Sequence, residues 1–558
     1  MTSVLPEIEC GPLQAFYERE ERHAGDVCFV QPGPDGQLES LTWHDVGQQA
    51  RRIASYLDSL NLEPGSRVAL MSSNCCHWII ADIAIWMAGH ISVPLYPILA
   101  EDTVRKVLEH SDAQVMFVGK LQDWDTIRAG IPDQVALVSL PLAPPAIAAG
   151  TVRWGDILRE QLPMPGTPDQ PLNALATIIY TSGTTGMPKG VMHSFANLAT
   201  VGQLTGQLYD TREADRMLSY LPLAHVAERA AVEINQLYNG FRVYFSHSLD
   251  TFADDLRRAR PTLFFAVPRI WSKLQQRVLE QMPEKKLERL LRLPIVGGMV
   301  RRKLTGALGM DKLRIAVSGA APLSTSLMRW YSKLGIEILE GYAMSENFAY
   351  SHSTQLGQAR IGYVGNANPH VICKLSPEGE ILVKSPTNML GYYREPELSA
   401  QAIDTDGYLH TGDKGEISRD GRLKITGRIK DIFKTSKGKY VAPAPIEDRL
   451  QRHTALELVC VTGANLPQPI ALATLAEGTR HDEQALQLEL ADLLEETNSA
   501  LDKHEHLSQI IVFPTPWTVE SNIVTPTLKI KRPEIDKRYM PRVAEWQSSK
   551  DRVIFAQH

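Results

Sequence analysis

Small, hydroxyl-bearing and basic residues follow one apolar, β-prone run of the chain. The run occupies residues 176–180 (ATIIY), and residues 181–190 (TSGTTGMPKG) come directly after it. Hydroxyls and the amides of small residues can wrap phosphate oxygens, and glycine lets the backbone approach them closely. Lys189 adds a mobile positive charge. The pattern predicts a phosphate-binding loop, although not a Walker A loop, whose Gly-Lys-Ser/Thr spacing is absent. The alternative is a flexible surface loop.

Further motifs follow this loop in a fixed order. They are SGAAP at 318–322, GYAMSE at 341–346, YLHTGD at 408–413, GR ending at Arg428, and TPTLKIKR at 525–532. The set resembles the adenylate-forming superfamily, which contains acyl-CoA synthetases, luciferases and peptide-synthetase adenylation domains. The resemblance spans nearly the whole chain and is most specific over residues 174–450. It implies that the chain uses ATP to adenylate a carboxylic acid.

The resemblance implies a nucleotide site built from several motifs. Tyr342 would stack on adenine, while Asp413 and Arg428 would reach the ribose, for which a short carboxylate is well shaped. Ala343 and Ser345 stand where the family usually has glycine and threonine, and the serine keeps the hydroxyl. The residues expected to bind ATP are Thr181, Ser182, Gly183, Thr184, Thr185, Gly186, Lys189, Gly319, Ala320, Ala321, Gly341, Tyr342, Ser345, Asp413, Arg428 and Lys529.

The same resemblance implies the catalytic groups and a metal. Thr181 and Glu346 would hold Mg²⁺, a hard cation that takes one or two oxygen ligands from protein and the rest from phosphate and water. Lys529 would bridge the substrate carboxylate and the α-phosphate. Its register favours it over the neighbouring basic residues at 531 and 532, which are otherwise typical of a solvated face. The catalytic residues expected are Lys529, Lys189, Glu346 and His225.

The implied reaction has two steps. The carboxylate attacks the α-phosphorus of ATP, pyrophosphate leaves, and a thiol, expected to be that of coenzyme A, then displaces AMP from the acyl-AMP. Lys529 would obstruct the thiol in the second step. The resemblance therefore implies that a small C-terminal domain rotates about a hinge near Lys430, a gating motion about a few residues.

Two segments point to the type of acid. LPLAHVAER at 221–229 and FKTSKGKYVAP at 433–443 resemble the long-chain fatty acyl-CoA synthetase branch. His225 would line the acyl site, with a structural histidine as the alternative. Lys437, Ala444 and residues 347–352 (NFAYSH) depart from the pattern of that branch. Branched, hydroxy and aryl-alkyl acids therefore stay open beside a long-chain fatty acid.

Two other functions compete with acyl-CoA synthesis. A fatty acyl-AMP ligase or a β-lactone-forming relative would adenylate the acid without using coenzyme A. A catalytically silent homologue would serve as a binding scaffold. Retention of the whole set of charged residues argues against the scaffold, since a silent site has no need of Lys189, Glu346, Asp413, Arg428 and Lys529 together.

The elements that must position these motifs alternate between strand and helix. Helical patterns cover 43–57, 78–88 and 101–110, and β-rich runs cover 67–71 and 115–118, which indicates parallel sheets covered by helices. Short strands with turn signals after residue 370 predict a small β-rich subdomain. We therefore expect an α/β fold with a large N-terminal domain over 1–427. A small, mobile α+β C-terminal domain is expected over 428–558.

Composition limits the number of domains, the classes of partner and the cellular compartment. The chain of 558 residues is long enough for two or more domains. A net charge of −6 gives no basic footprint for nucleic acid, and the run at 78–97 is too interrupted to span a membrane. Six scattered cysteines without metal-ligand spacing fit a reducing compartment. We expect a cytoplasmic protein, with peripheral contact at the inner face of the membrane and formation of a homodimer left open.

Overall fold

The most apolar stretch of the sequence folds as a buried helix, close to the helical pattern at 78–88, and a strand follows it. The helix spans Cys76–Met87 and the strand Ile91–Leu95, and every residue of the helix is buried. Gly89, with φ of 75°, lies in the turn between them. This computed structural model describes residues 7–181, 188–248, 250–453, 455–476, 482–519, 521–525 and 529–556. No helix within these ranges is long and apolar enough to cross a membrane.

The chain divides into two compact units. Unit 1 comprises residues 1–373 and 383–410, and unit 2 comprises residues 374–382 and 411–558. The α/β class, with a large N-terminal part and a smaller C-terminal part, is confirmed. The predicted domain boundary at 427/428, the hinge and the mobility of the C-terminal domain stay predictions.

The strands are numbered in chain order. Those up to residue 219 are β1 Val27–Pro32, β2 Leu38–Thr42, β3 Arg67–Met71, β4 Ile91–Leu95, β5 Ala113–Val118, β6 Ala136–Ser139, β7 Val152–Arg153, β8 Leu175–Thr181, β9 Lys189–Ser194 and β10 Arg216–Ser219. Those from 242 to 392 are β11 Arg242–Phe245, β12 Leu263–Ala266, β13 Ile315–Ser318, β14 Ile338–Tyr342, β15 His352–Ser353, β16 Asn366–Ala367, β17 Ile372–Leu375, β18 Glu380–Lys384 and β19 Gly391–Tyr392. The remainder are β20 Leu409–Ile417, β21 Leu423–Arg428, β22 Phe433–Lys434, β23 Tyr440–Val441, β24 Leu456–Thr462, β25 Ile470–Leu475, β26 Ile510–Phe513 and β27 Val553–Phe555.

The α-helices are numbered in the same way. Those up to residue 239 are α1 Pro12–His23, α2 Trp43–Ser59, α3 Cys76–Met87, α4 Glu101–Ser111, α5 Trp124–Ala129, α6 Pro145–Ala148, α7 Trp154–Glu160, α8 Phe195–Tyr209, α9 Val226–Glu228 and α10 Asn235–Asn239. Those beyond it are α11 Phe252–Ala259, α12 Pro268–Gln281, α13 Glu284–Leu291, α14 Pro294–Ala307, α15 Thr325–Lys333, α16 Pro396–Ala402, α17 Pro443–Leu450, α18 Glu483–Ser499, α19 Arg532–Tyr539 and α20 Val543–Ser548. A π-helical segment, Arg229–Ile234, separates α9 from α10.

Three sheets organise unit 1. An eight-stranded sheet has the order β19-β9-β8-β4-β3-β5-β6-β7, and it is parallel from β8 to β7. A four-stranded sheet has the order β10-β11-β1-β2, and a five-stranded sheet the order β12-β13-β14-β15-β16. Buried apolar side chains on the helices and strands form the cores, one of them between β3, β4, β5 and α4. Three of the motif residues thus stand at strand ends, with Thr181 ending β8, Ser318 ending β13 and Tyr342 ending β14.

Unit 2 is built around smaller sheets. The sheet β17-β18-β20-β21 consists mostly of unit 2 residues, and β22-β23 forms a short antiparallel pair. The sheet β24-β25-β26-β27 combines one antiparallel pairing with two parallel ones. Helix α18 buries Leu486, Leu490 and Leu494 at spacings of four residues, which places one apolar stripe against that sheet's core.

Candidate active site

The ends of β8 and β9 bring Thr181 and Lys189 side by side. The strands pair antiparallel with Thr181 as the register partner of Lys189, and the Thr181 hydroxyl lies 3.5 Å from the Lys189 carbonyl oxygen. Gly190 allows this close pairing, because a Cβ there would come within 2.7 Å of Ile178 Cγ2. Both half-buried residues stand where the predicted loop begins and ends. The predicted phosphate-binding residues Ser182, Gly183, Thr184, Thr185 and Gly186 lie outside the described residues.

A tyrosine that the sequence interpretation missed links Lys189 with Glu346. Tyr392 Oη donates a hydrogen bond of 2.9 Å to Glu346 Oε1, and the Lys189 ammonium lies 5.1 Å from the centroid of the Tyr392 ring, within cation–π range. Burial, together with the nearby Glu346, raises the pKa of Tyr392, so the phenol stays a protonated donor at neutral pH. The only signal in the sequence was the aromatic pair in GYY at 391–393.

A buried histidine on β9 holds the loop that carries Glu346. His193 Nε2 donates to the Ser345 carbonyl oxygen at 2.7 Å, and Asn197 Nδ2 donates to His193 Nδ1 at 3.1 Å. Burial lowers the pKa of His193 to about 3, which keeps the ring neutral. Ser345 and Glu346 are therefore anchored to the strand that also carries Lys189.

The predicted adenine-binding turn follows β13. Ser318 ends the strand, and its buried hydroxyl has no hydrogen-bond partner among the described residues. A Cβ on Gly319 would lie 3.2 Å from the Phe265 ring, so glycine suits this close approach. Ala320 has φ of 69°, a conformation that non-glycine residues rarely adopt outside functional sites and tight turns. Ala320 and the following Ala321 are exposed.

The predicted adenine-stacking residue ends the neighbouring strand. β14 runs parallel to β13 and carries Gly341 and Tyr342, which pair with Ser353 and His352 of β15. The Tyr342 ring is buried, 6.1 Å from the His352 ring between centroids. Since the ends of parallel strands share one edge of a sheet, the turn after Ser318 and the residues after Tyr342 lie at the same edge.

His225 has a local structural role at the start of α9. Its Nδ1 accepts a hydrogen bond of 3.1 Å from the Ala227 amide at the start of α9. In the neutral ring this leaves the proton on Nε2. The half-buried imidazole lies edge-on to Tyr96, with 6.4 Å between ring centroids. A catalytic role for His225 stays a prediction.

A buried charge cluster lies behind β8. Arg229 is fully buried between Asp82 and Glu233, with its Nε 2.9 Å from Glu233 Oε2 and its Nη2 bonded to Asp82. Its Nη1 also donates to the hydroxyl of Thr177 in β8 at 2.7 Å. Burial, with Asp82 alongside, raises the pKa of Glu233, so one proton and one guanidinium neutralise the two carboxylates. The cluster fixes the strand that ends at Thr181, and only the acidic break in the apolar run hinted at it.

The segment after Glu346 is a buried polar strip. Asn347, Ser351 and His352 are all buried, and burial lowers the pKa of His352 to about 4. Ser351 Oγ lies 2.9 Å from His352 Nδ1. The expectation that this segment lies near the acyl group stays a prediction.

The two predicted ribose-binding residues meet within unit 2. Asp413 and Arg428 are register partners on β20 and β21, and Arg428 Nε lies 3.0 Å from Asp413 Oδ1. Asp413 is buried while Arg428 is exposed. The Thr411 hydroxyl accepts from the Asp413 amide at 3.1 Å and donates to the Ile381 carbonyl oxygen at 2.7 Å, which holds the carboxylate in place.

The three basic residues near the C-terminus differ in their surroundings. Arg532 makes two hydrogen bonds of 2.6 Å to Glu447 and one of 3.0 Å to Asp431. Lys531 Nζ donates to Asn522 at 2.6 Å. Lys529 is exposed and is held by its backbone, which exchanges hydrogen bonds with Thr525. Arg532 and Lys531 thus have side-chain partners inside unit 2, and Lys529 is the exposed residue of the three.

The donor atoms of the two residues predicted to hold Mg²⁺ can be compared with the ligands that this ion prefers. Thr181 offers a hydroxyl and Glu346 a carboxylate, both half-buried and both hard oxygen donors. Across the described parts of the chain, no three His, Cys, Asp or Glu side chains gather into a metal site. Two protein oxygens fit an ion such as Mg²⁺ that takes its other ligands from phosphates and water.

Comparison with protein families gives matches over most of the chain. A family model described as AMP-binding enzyme matches residues 16–393. A second model, described as AMP-binding enzyme C-terminal domain, matches residues 430–550. The first match contains Thr181, Lys189 and Glu346, and the second contains Lys529.

Individual proteins are similar over nearly their full length. The chain is 29% identical to the long-chain-fatty-acid–CoA ligase FadD15 of Mycobacterium bovis, covering 94% of this chain and 95% of that protein. It is 30% identical to the peroxisomal long chain acyl-CoA synthetase 6 of Arabidopsis thaliana, covering 92% and 82%. Among solved structures, the anthranilate CoA ligase AuaEII in complex with anthranoyl-AMP matches with a TM-score of 0.79 at 21% identity, over 97% of this chain and 99% of that one.

Proposed function

The chain belongs to the AMP-binding enzyme family, and we propose that it joins a long-chain fatty acid to coenzyme A, converting ATP to AMP and pyrophosphate. The observation that carries the proposal is that Tyr392 contacts both Lys189, where β9 begins after the predicted phosphate loop, and Glu346. Similarity to two long-chain acyl-CoA synthetases over more than nine-tenths of this chain supports the choice of acid and acceptor.

The first step joins two anions, so the site must supply positive charge to bring them together. A carboxylate oxygen of the acid attacks the α-phosphorus of ATP, the bond from that phosphorus to the bridging oxygen breaks, and pyrophosphate leaves. Lys189 supplies positive charge beside the loop, and Tyr392 and His193 hold Glu346 and its loop in position. Mg²⁺, held by Thr181 and Glu346 with the phosphates, would contribute Lewis acidity and neutralise phosphate charge.

Unit 2 contributes the remaining groups of the proposal. Asp413 would accept hydrogen bonds from the ribose hydroxyls, with Arg428 Nε at 3.0 Å keeping the carboxylate ionised and oriented. Lys529 would neutralise charge between the acid and the α-phosphate. Preorganised charge of this kind is typically worth ~3–4 kcal/mol in the transition state. The exposure of Lys529 suits a group that enters and leaves the reaction centre.

In the second step the thiol sulfur attacks the acyl carbonyl carbon. The bond between that carbon and the phosphate oxygen breaks, the thiol proton passes to solvent, AMP leaves with the bonding electrons on its phosphate oxygen, and the thioester remains. Lys529 is not needed to bring the nucleophile to the α-phosphorus in this step, because the thiol attacks the acyl carbon. The two steps therefore differ in their need for Lys529.

A pair of lysine variants tests this division of labour. Lys529→Ala should lower ATP–pyrophosphate exchange by about 100-fold or more, since ~3–4 kcal/mol is lost. Thioester formation from supplied acyl-AMP should stay within a few-fold of the parent. Lys531→Ala is the matched control, because its ammonium is bonded to Asn522. Equal loss of both half-reactions in Lys529→Ala would contradict the assignment.

Product analysis separates the competing functions. The protein is incubated with ATP, Mg²⁺ and a series of fatty acids, with and without coenzyme A, and pyrophosphate and thioester are measured. Thioester that requires coenzyme A supports the proposal. Acyl-AMP or a β-lactone without thioester assigns the coenzyme A-independent alternative, and no pyrophosphate with any acid assigns a binding scaffold.

A further inference from the structure

One helical hairpin of unit 1 presents an apolar tip to solvent. Helices α13 and α14 are joined through Arg292 and Leu293, and four large apolar side chains within seven residues are exposed there. These are Leu293, Ile295, Val296 and Met299, with 80% of Ile295 and 68% of Met299 accessible. An exposed apolar cluster of this kind is uncommon on the surface of a soluble protein and marks a contact site.

The hairpin is fixed to the core by its other face. Leu287 and Leu291 of α13 are buried in the same core cluster as Trp271, and Val300 and Leu304 of α14 pack against that cluster. A Cβ on Gly297 would lie 2.5 Å from the Leu291 carbonyl oxygen, so this glycine lets α14 pack closely on the end of α13. The inward face is covered by packing, whereas the four apolar side chains near the Arg292–Leu293 connection stay exposed.

Positive charge surrounds the apolar tip. The segment 284–307 contains seven basic residues and two acidic ones, so it carries +5 in a chain whose net charge is −6. All seven basic residues are exposed. They are Lys285, Lys286, Arg289, Arg292, Arg301, Arg302 and Lys303.

The spacing along α14 matches the layers of a bilayer surface. Ile295, Met299, Arg302 and Lys303 fall on one face of the helix, at spacings of four, seven and eight residues from the first. At 1.5 Å per residue, the two apolar residues lie about 4.5–12 Å along the helix axis from the two basic ones. Interfacial helices bury their apolar groups about 5–10 Å below the charged layer. An exposed apolar cluster flanked along the chain by exposed cations fits this arrangement.

We propose that the α13–α14 hairpin docks the enzyme on an anionic lipid surface, with Ile295 and Met299 inserted among the acyl chains and Arg302 and Lys303 at the headgroups. The inference goes beyond the proposed function, since it concerns where the enzyme works and not what it makes. Docking would bring the enzyme to the phase in which long-chain acids concentrate. Its test does not depend on turnover.

Vesicle flotation of the full-length protein tests the proposal. The parent should float with vesicles of phosphatidylcholine mixed with phosphatidylglycerol, bind weakly to phosphatidylcholine alone, and dissociate as salt is raised. Ile295→Asp combined with Met299→Asp should lower binding at least tenfold. Arg302→Gln combined with Lys303→Gln should lower it about 25-fold, at roughly fivefold per basic residue. Leu162→Asp is the matched control, since Leu162 is also 80% exposed but lies elsewhere.

Several outcomes would overturn the proposal. They are equal binding to neutral and anionic vesicles, equal loss in the Leu162 control, and unchanged binding in either double variant. Sedimentation analysis without lipid tests whether a second copy of the chain covers the apolar tip instead. A dimeric parent and a monomeric Ile295/Met299 variant would show that it does. Thermal unfolding of each variant shows that it is folded. A chain that made no acyl-CoA but still bound vesicles would refute the proposed function alone.

Discussion

The phenol of Tyr392 is the most informative single group to remove. Tyr392→Phe deletes the donor that bonds to Glu346 Oε1 at 2.9 Å and keeps the ring that lies 5.1 Å from the Lys189 ammonium. The substitution therefore separates two contacts made by one side chain. Because burial raises the pKa of Tyr392, the phenol is a hydrogen-bond donor throughout the working pH range. Any effect of Tyr392→Phe therefore reports the loss of this donor and not a change in its protonation.

The size of the effect follows from the surroundings of the bond. A hydrogen bond to a charged acceptor contributes about 1.5–3 kcal/mol. Glu346 is half-buried, so water can replace part of the lost bond and the lower figure applies. About 1.4 kcal/mol corresponds to a tenfold change in rate. We expect kcat/KM for ATP to fall about tenfold, with a higher Mg²⁺ concentration needed for half-maximal rate.

ATP–pyrophosphate exchange without coenzyme A is the assay, because it isolates adenylation. Tyr393→Phe is the control, since it makes the same chemical change one residue along, where the ring faces His110 instead. Tyr392→Leu should lose a further few-fold, because it also removes the cation–π contact. Exchange in Tyr392→Phe within twofold of the parent, or an equal loss in Tyr393→Phe, would refute the positioning of Glu346 by Tyr392.

Three further predictions concern other parts of the two units. Asp413→Ala should raise KM for ATP at least about tenfold, the low end for hydrogen bonds to a charged group, and leave KM for the fatty acid nearly unchanged; Asp420→Ala is the control in steady-state kinetics. His193→Gln should remove part of the acid sensitivity: the pKa of His193 is about 3 when folded against 6.5 when unfolded, so its contribution is complete above pH ~6.5 and about 2 kcal/mol is lost by pH ~5. Urea unfolding at two pH values checks this, and an unchanged difference between them would exclude it. Arg229→Met should lower the free energy of unfolding by about 3–5 kcal/mol, since the ionised member of the buried Asp82/Glu233 pair loses its cation. Tryptophan fluorescence is a suitable probe because Trp78 and Trp86 flank Arg229, and a change below 1 kcal/mol would contradict it.

Local sequence signals predicted many elements closely. The strand expected at 67–71 is observed at Arg67–Met71, and the helix expected at 43–57 is observed at Trp43–Ser59. Thr42 caps that helix through a reciprocal pair of bonds with Asp45, a signal carried by adjacent residues. The strand before the phosphate loop was equally clear, because its buried apolar run ends abruptly in small polar residues. Such features depend on a few neighbouring residues, which a single sequence displays.

Contacts between distant segments were not predictable in the same way. Tyr392 reaches Glu346 across 46 positions, and Arg229 reaches Asp82 across 147. Nothing in the local pattern of either residue identifies its partner, because both contacts join segments that come together only when unit 1 folds. The family resemblance supplied Glu346 and Lys189 but no reason for their common neighbour. The roles of the predicted site residues stay predictions until the variants are measured.

The alternation of the chain between its two units has a consequence for synthesis. Residues 374–382 belong to unit 2, yet residues 383–410, which complete unit 1, follow them along the chain. Ile381 and Glu380 accept their hydrogen bonds from Thr411 and Gly412, which leave the ribosome later. At about 5–20 residues per second, the residues from 411 to the end of β21 at Arg428 take about 1–4 s to be made. During that interval the nascent chain carries an unpaired strand edge, the kind of surface that chaperones shield from aggregation.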